Sequence, residues 1–205
     1  VTLTPALVRN TPSLSGHEDY VRASHLLPGV DGGVDGLAGL YVRGGDAGQN
    51  LMLLDGAPVF IPFHLLGAYS IYNAKTVKSA HLVKGRFSAR YGGRLASVFD
   101  VRTREGDLEN WHAGVSLDLS QVQVNVEGPF RKERGSVLVS GRYAPSAFLL
   151  SPVFKRTYFQ DTGGKLETNF YDLNVKANYI FGKKDRLFLS FFRGGDKFEE
   201  EYDLE

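Results

Sequence analysis

The sequence predicts a small mixed α/β unit ending near Gly106, followed by a run of antiparallel β-strands. Three observations predict it. Up to residue 106, short apolar stretches are cut by Gly- and Asp-rich turns, with one helix-patterned segment among them. After Gly106 the texture changes to alternation of apolar and polar residues, the period-two pattern of a sheet with two unlike faces. Gly at 24 and aromatic residues at 12% suit a turn-rich β protein with interfacial rings.

Residues 1–12 are polar and punctuated by Pro5 and Pro12, and read as an extended lead-in. A helix follows: Ser15 is a fitting N-cap, with Glu18 three residues later completing a capping box. Tyr20, Val21, Ser24 and Leu27 fall on one face, and Pro28-Gly29 stops it. Residues 29–39 form a Gly/Asp loop. Short strands are expected at 40–43, 51–54 and 57–60, joined by the 44–50 turn and the Asp55-Gly56 turn. Residues 63–72 read as partly helical or irregular, 77–84 as a strand, 91–94 as a tight turn and 96–104 as a further strand.

Beyond Gly106, Ala113, Val115, Leu117 and Leu119 alternate with polar or small residues. The phase then flips to Val122, Val124 and Val126. A parity flip requires a turn or bulge near Ser120-Gln121; a short hairpin is preferred to one long bulged strand. Residues 128–135 form a charged turn and 136–143 a strand, and 144–168 is a long irregular segment. Residues 170–181 alternate cleanly, 182–185 is a tight turn, 187–192 is a strand, and an acidic loop begins at Gly194. Five strands of about 9–11 residues suit a tilted bilayer crossing. Alternating short turns and a longer loop suit an outer-membrane barrel, with Tyr143, Tyr171, Tyr179 and Phe181 as girdle aromatics. A soluble sheet with one wet face gives the same alternation, and alternation alone favours that commoner arrangement.

Composition removes several classes. Lys plus Arg (24) nearly balance Asp plus Glu (23) for a net charge of +1, which gives nucleic acid no reason to bind. No cysteine is present, so disulfides, thiolate catalysis and Cys-ligated zinc are excluded. No basic segment followed by an apolar run opens the chain, so a mature, trimmed or soluble chain is expected. Residues 56–74 lack formal charge, but Pro58, Pro62, His64, Gly67 and Asn73 rule out a membrane helix.

Several motifs occur in a fixed order. They are LPGV at 27–30, VRGG at 42–45 with Gln49-Asn50, and LLDG at 53–56. KG at 84–85, RYGGRL at 90–95, EGP at 127–129 and SGR at 140–142 follow. In this order and spacing the chain resembles the plug and first barrel strands of a TonB-dependent outer-membrane receptor, most closely the large Bacteroidetes-type receptors. The resemblance implies an α+β plug domain (13–106) followed by antiparallel transmembrane β-barrel strands (107–205), a fragment of a plugged barrel of about 22 strands. The TonB box, an upstream regulatory domain and about seventeen barrel strands are then expected to lie outside the sequence.

The implied activity is energised uptake of a scarce ligand (iron-siderophore, vitamin, oligosaccharide or peptide) across the outer membrane of a Gram-negative bacterium. The implied partners are a TonB-ExbB-ExbD-type complex, outer-membrane lipid, an extracellular small ligand and, in some receptors, a surface lipoprotein. No cofactor and no enzymatic step are implied. A soluble β-rich binding or adhesion module is the alternative, and an enzyme acting on glycan or peptide is a remote third.

Arg43 and Arg94 are the first site candidates. The resemblance implies that arginines at these RG and GGR positions face barrel carboxylates and hold plug to barrel; an ordinary turn arginine is the bland reading. Asp55 reads foremost as an Asx-turn residue bonded to its own backbone. Gly44, Gly45, Gly92 and Gly93 read as positive-φ turn residues, and Gly56 as the partner of Asp55 in the DG turn. No phosphate-binding glycine motif occurs. Asp31 and Asp35 fit no EF-hand spacing, and His17, His25, His64, His81 and His112 show no metal spacing. Nothing marks an acid–base carboxylate pair or a nucleophile elbow.

Overall fold

The computed structural model describes residues 1–11, 17–33, 39–118, 120–145 and 165–201. It divides into two units, Val1–Arg104 and Glu105–Glu205. Among the described residues no helix is long and apolar enough to cross a membrane.

The first unit contains, in chain order, β1 (Thr2–Leu3), α1 (Pro5–Arg9), α2 (Tyr20–Ser24), β2 (Val30–Asp31), β3 (Tyr41–Val42) and β4 (Asn50–Leu54). It continues with β5 (Ala57–Pro58), β6 (Phe63–His64), β7 (Tyr69–Ser70), β8 (Val77–Lys84) and β9 (Ser97–Thr103). The main sheet has the order β1-β8-β9-β4-β5. β4 runs parallel to β9, and the other neighbours are antiparallel. β9 lies at the centre with Val98, Phe99 and Val101 fully buried, so it lacks the in–out alternation of a one-sided strand. Leu82, Ala80, Met52, Leu53 and Leu54 complete the core from the flanking strands, and Val21 and Ala23 are buried on α2.

Four expectations change here. Residues 1–12 are not merely extended. Thr4 caps α1 by accepting from the Leu7 N–H at 3.3 Å, and Pro5 occupies the first turn, where its missing N–H costs nothing. The second helix starts later than expected. Its cap is Asp19, whose Oδ1 accepts from the Val21 and Arg22 N–H groups at 2.7 and 3.2 Å; Ser15 lies outside the described residues. Residues 63–70 form a small hairpin of β6 and β7, turned through Leu65, Leu66 and Gly67, all at positive φ. Within the 29–39 loop, Val30 and Asp31 pair with Val42 and Tyr41; residues 34–38, including Asp35, lie outside the described residues.

The second unit is one antiparallel meander: β10 (His112–Leu117), β11 (Val122–Arg131), β12 (Gly135–Ala144), β13 (Lys165–Ile180) and β14 (Arg186–Glu201). The phase flip is a hairpin: Leu117 opposes Val122, and the Asp118 N–H donates to the Gln121 carbonyl at 3.0 Å. Strand length departs from the uniform 9–11 expected: β10 has 6 residues, while β13 and β14 have 16 each. β14 runs through the stretch from Gly194 onward that reads as loop. Gly195 sits against the Tyr171 ring of β13, where an added Cβ would stand 2.9 Å from ring carbon Cε1. Trp111 covers Gly128 and Phe130 covers Gly135 in the same way, so an aromatic neighbour fills the gap each glycine leaves. Most of the long irregular segment, 146–164, lies outside the described residues.

Candidate functional site

The motifs that lie far apart in sequence meet in the first unit. Arg43 and Gly44 have φ of 52° and 75°, and the Gly45 N–H donates to the Val42 carbonyl at 3.0 Å, closing a tight turn. Glycine is the usual solution in this left-handed region, so an arginine held there is an informative exception. Its N–H donates to the Gly29 carbonyl at 2.9 Å, tying VRGG to LPGV. Its side chain crosses Gly85 (φ +85°), where a Cβ would stand 2.7 Å from Nη1. Lys84 Nζ donates to the Pro28 carbonyl at 2.5 Å.

The GGRL segment docks on the same cluster. The Gln49 carbonyl accepts from the Leu95 and Ala96 N–H groups at 3.2 and 3.0 Å. A Cβ on Gly45 would stand 2.8 Å from the Ala96 Cβ. Gly45 is therefore required by close approach, not by the positive φ expected of it. Asn50 is buried at the hub. Its Nδ2 donates to the Leu40 and Ala47 carbonyls at 2.7 and 3.1 Å, and its Oδ1 accepts from Ser97 Oγ at 2.7 Å. Sequence reasoning registered Asn50 only as a motif letter. Its signal was a polar residue at the head of an apolar strand.

Asp55 and Gly56, at φ 50° and 89°, form the two-residue turn between β4 and β5. Asp55 does more than the Asx reading assigns to it. Its carboxylate reaches across to β9, accepting from the Thr103 N–H at 2.9 Å and from the Thr103 hydroxyl. Gly93 has the expected positive φ (79°); Gly92 does not, and has open space around its Cα. Arg94 Nη1 donates to the Gly93 carbonyl at 2.9 Å. Among the described residues, no bond joins Arg43 or Arg94 to a carboxylate. Arg43 lines an open cavity of about 710 Å³ together with Gly29, Tyr41, Gly44, Asp46 and Gln49.

A second buried cluster supports the first unit. Asp19, besides capping α2, accepts from the Ser70 N–H at 3.0 Å through Oδ2. The His17 ring stacks on Tyr69 at 4.7 Å. Burial pushes the Tyr72 hydroxyl far above its ordinary pKa, reinforced by the charges of Asp100 and Asp19, so it stays neutral.

The sheet of the second unit has inverted polarity. Gln123, Ser140, Arg142, Asp172, Asn174, Lys176 and Asn178 are buried, while Val115, Val124, Val139, Leu173, Leu189 and Phe191 are exposed. The exposed residues share one face, because Val115, Val124, Gly141, Leu173 and Arg193 lie in register, as do Val126, Val139, Val175 and Phe191. On the polar face Arg142 opposes Asp172, with Nε donating to Oδ2 at 2.7 Å and Nη2 also in contact, over the Phe170 ring at 5.0 Å. A soluble sheet buries its apolar face; this one presents it, as a barrel wall in lipid must.

A family model described as TonB-dependent Receptor Plug Domain matches residues 6–98. No curated protein sequence matches the chain. Among solved structures, the siderophore receptor PirA from Acinetobacter baumannii matches 98% of this chain at TM-score 0.63 and 16% identity. PirA from Pseudomonas aeruginosa also matches 98% at TM-score 0.62 and 15% identity, as does a mutant of the P. aeruginosa ferric enterobactin receptor PfeA at 0.62 and 16%. This chain spans about a third of their length: 32%, 37% and 32% respectively. Residues 6–98 thus belong to the TonB-dependent receptor plug domain family, and the chain as a whole has the fold of a plug followed by the leading antiparallel strands of a plugged barrel.

Proposed function

We propose that this chain is part of a transporter that takes up a scarce ligand across the outer membrane of a Gram-negative bacterium, driven by a TonB-ExbB-ExbD-type complex. The single observation that carries the reading is the sheet with an apolar exposed face and a polar buried face, following a plug domain. Such a sheet suits a wall between lipid and a polar lumen. The plug supplies the gate, and its pairing of motifs through Asn50, Gln49 and Arg43 gives that gate a defined closed form. Transport makes and breaks no covalent bond, in keeping with the absence of any nucleophile or acid–base motif in the sequence. The structural relatives carry siderophore receptor and ferric enterobactin receptor as names. A ferric siderophore is therefore the first ligand to try, with vitamin, oligosaccharide and peptide after it. Arg43 and Arg94, free of carboxylate bonds among the described residues, are assigned to hold plug to barrel wall.

The test is uptake of labelled ferric siderophores, vitamins and oligosaccharides by cells producing the full-length protein, with and without TonB. Accumulation that disappears without TonB supports the proposal. Accumulation independent of TonB, or full-length protein found in the soluble fraction, overturns it and favours a soluble binding module.

A further inference from the structure

One end of the second unit carries a charge and ring pattern that lumen and gate do not use. The β11–β12 turn holds Arg131, Lys132, Glu133 and Arg134, and the β13–β14 turn holds Lys183, Lys184 and Asp185: five cations against two carboxylates in a chain of net charge +1. The two turns lie side by side, since Gly135 opposes Tyr179 and the Ile180 N–H donates to the Arg134 carbonyl at 2.7 Å. All seven charged residues are exposed.

Beside them, on the apolar face, four aromatic residues gather. Phe130 stacks on Tyr179 at 6.1 Å, and Phe181 meets Tyr179 edge-on at 4.8 Å. Trp111 lies over Gly128, and Trp111, Phe130 and Phe181 are largely exposed. Arg131 Nη1 donates to the Tyr179 hydroxyl at 2.7 Å, which fixes a guanidinium at the tip of the aromatic cluster with donors to spare. The opposite end differs: among the side chains described there, Glu167, Asp196 and Glu199 stand beside Lys197.

We propose that this rim binds the phosphate headgroups of anionic phospholipids in the leaflet that faces the short turns. Aromatic rings mark the depth at which hydrocarbon gives way to headgroups. Cations placed just beyond that depth meet phosphate oxygens, and a guanidinium accepts two of them at once. Charge complementarity and continuity with the apolar face name the occupant. Zwitterionic lipid satisfies the rings equally well but gains less from five clustered cations. The proposal rests on the barrel reading above.

The experiment uses the full-length protein. Heat-modifiable gel mobility first shows whether it forms a closed barrel. Native mass spectrometry then counts phosphatidylglycerol, phosphatidylcholine and lipopolysaccharide bound from detergent at low salt. Phosphatidylglycerol is expected to bind best, and its preference to fade as salt rises. Arg131→Gln and the pair Lys183→Gln with Lys184→Gln are expected to weaken it about five-fold per cation removed, with barrel mobility unchanged. Equal binding of phosphatidylglycerol and phosphatidylcholine, preferred binding of lipopolysaccharide, or folded variants that bind like the parent would overturn the proposal. Failure of the parent to form a barrel overturns the barrel reading, and this proposal with it.

Discussion

Asn50 shows how one amide can hold a domain together. It joins the start of β4 to the 40–47 loop and to Ser97 at the start of β9. Asn50→Ala leaves the buried Leu40 carbonyl and Ser97 hydroxyl without this partner, at about 1–3 kcal/mol for each group so stranded. Limited proteolysis of the full-length protein should then show faster cleavage within residues 40–50. An unchanged cleavage rate would mean that the loop is held by other contacts. Serine at position 97 was not readable as its partner, because the contact spans 47 residues and depends on the parallel β4–β9 register. Asp55 carries the same lesson. A DG pair announces its turn through left-handed backbone preference, but not the Thr103 that receives its carboxylate.

The strands show both the reach and the limit of pattern reading. Alternation located β10 to β13 and the hairpin between β10 and β11, because a one-residue slip would exchange the faces. It missed the far half of β14, where Gly194-Gly195 reads as a turn yet stays in the ladder under Tyr171. Val124 and Val175 both lie on the apolar face. Arginine at either should cost about 2–4 kcal/mol near the bilayer midplane and block assembly of the full-length barrel. Normal heat-modifiable mobility of the variants would contradict that placement. The segment entering β10 gives a pH prediction. Asp107 accepts from the Asn110 and Glu109 N–H groups and from His112, which holds its carboxyl below the usual carboxylate range. A carboxyl depressed on folding favours the folded turn above its unfolded pKa. That contribution is lost as pH falls through the lower folded value. Hydrogen exchange at Glu109 and Asn110 should therefore gain protection between strongly acidic and neutral pH beyond the intrinsic rate change; equal protection would refute it.

For the molecule as a whole, the plug resemblance was the most legible property, because seven short motifs in fixed order are far more specific than any one of them. Their convergence explains the order: LPGV, VRGG, KG and GGRL are neighbours in space, so each constrains the others. Arg94→Ala in the full-length protein should raise pore conductance and protease sensitivity if this residue holds the plug as proposed. Unchanged values of both would remove Arg94 from that role. Helix starts were less legible, since Ser15 and Asp19 both carry capping side chains and the bond of Asp19 to the Ser70 N–H spans 51 residues. The sheet order has one more consequence. β1 is a two-residue strand at the rim of a sheet whose centre is β9. A tension arriving through the chain ahead of Thr2 meets this short seam before any other. Two residue pairs share such a load poorly, whereas β8 and β9 spread it along a ladder of seven. Drawn from that side, the domain should open as a sequence of yielding steps from its margin inward, with the Asn50 knot among the last to let go.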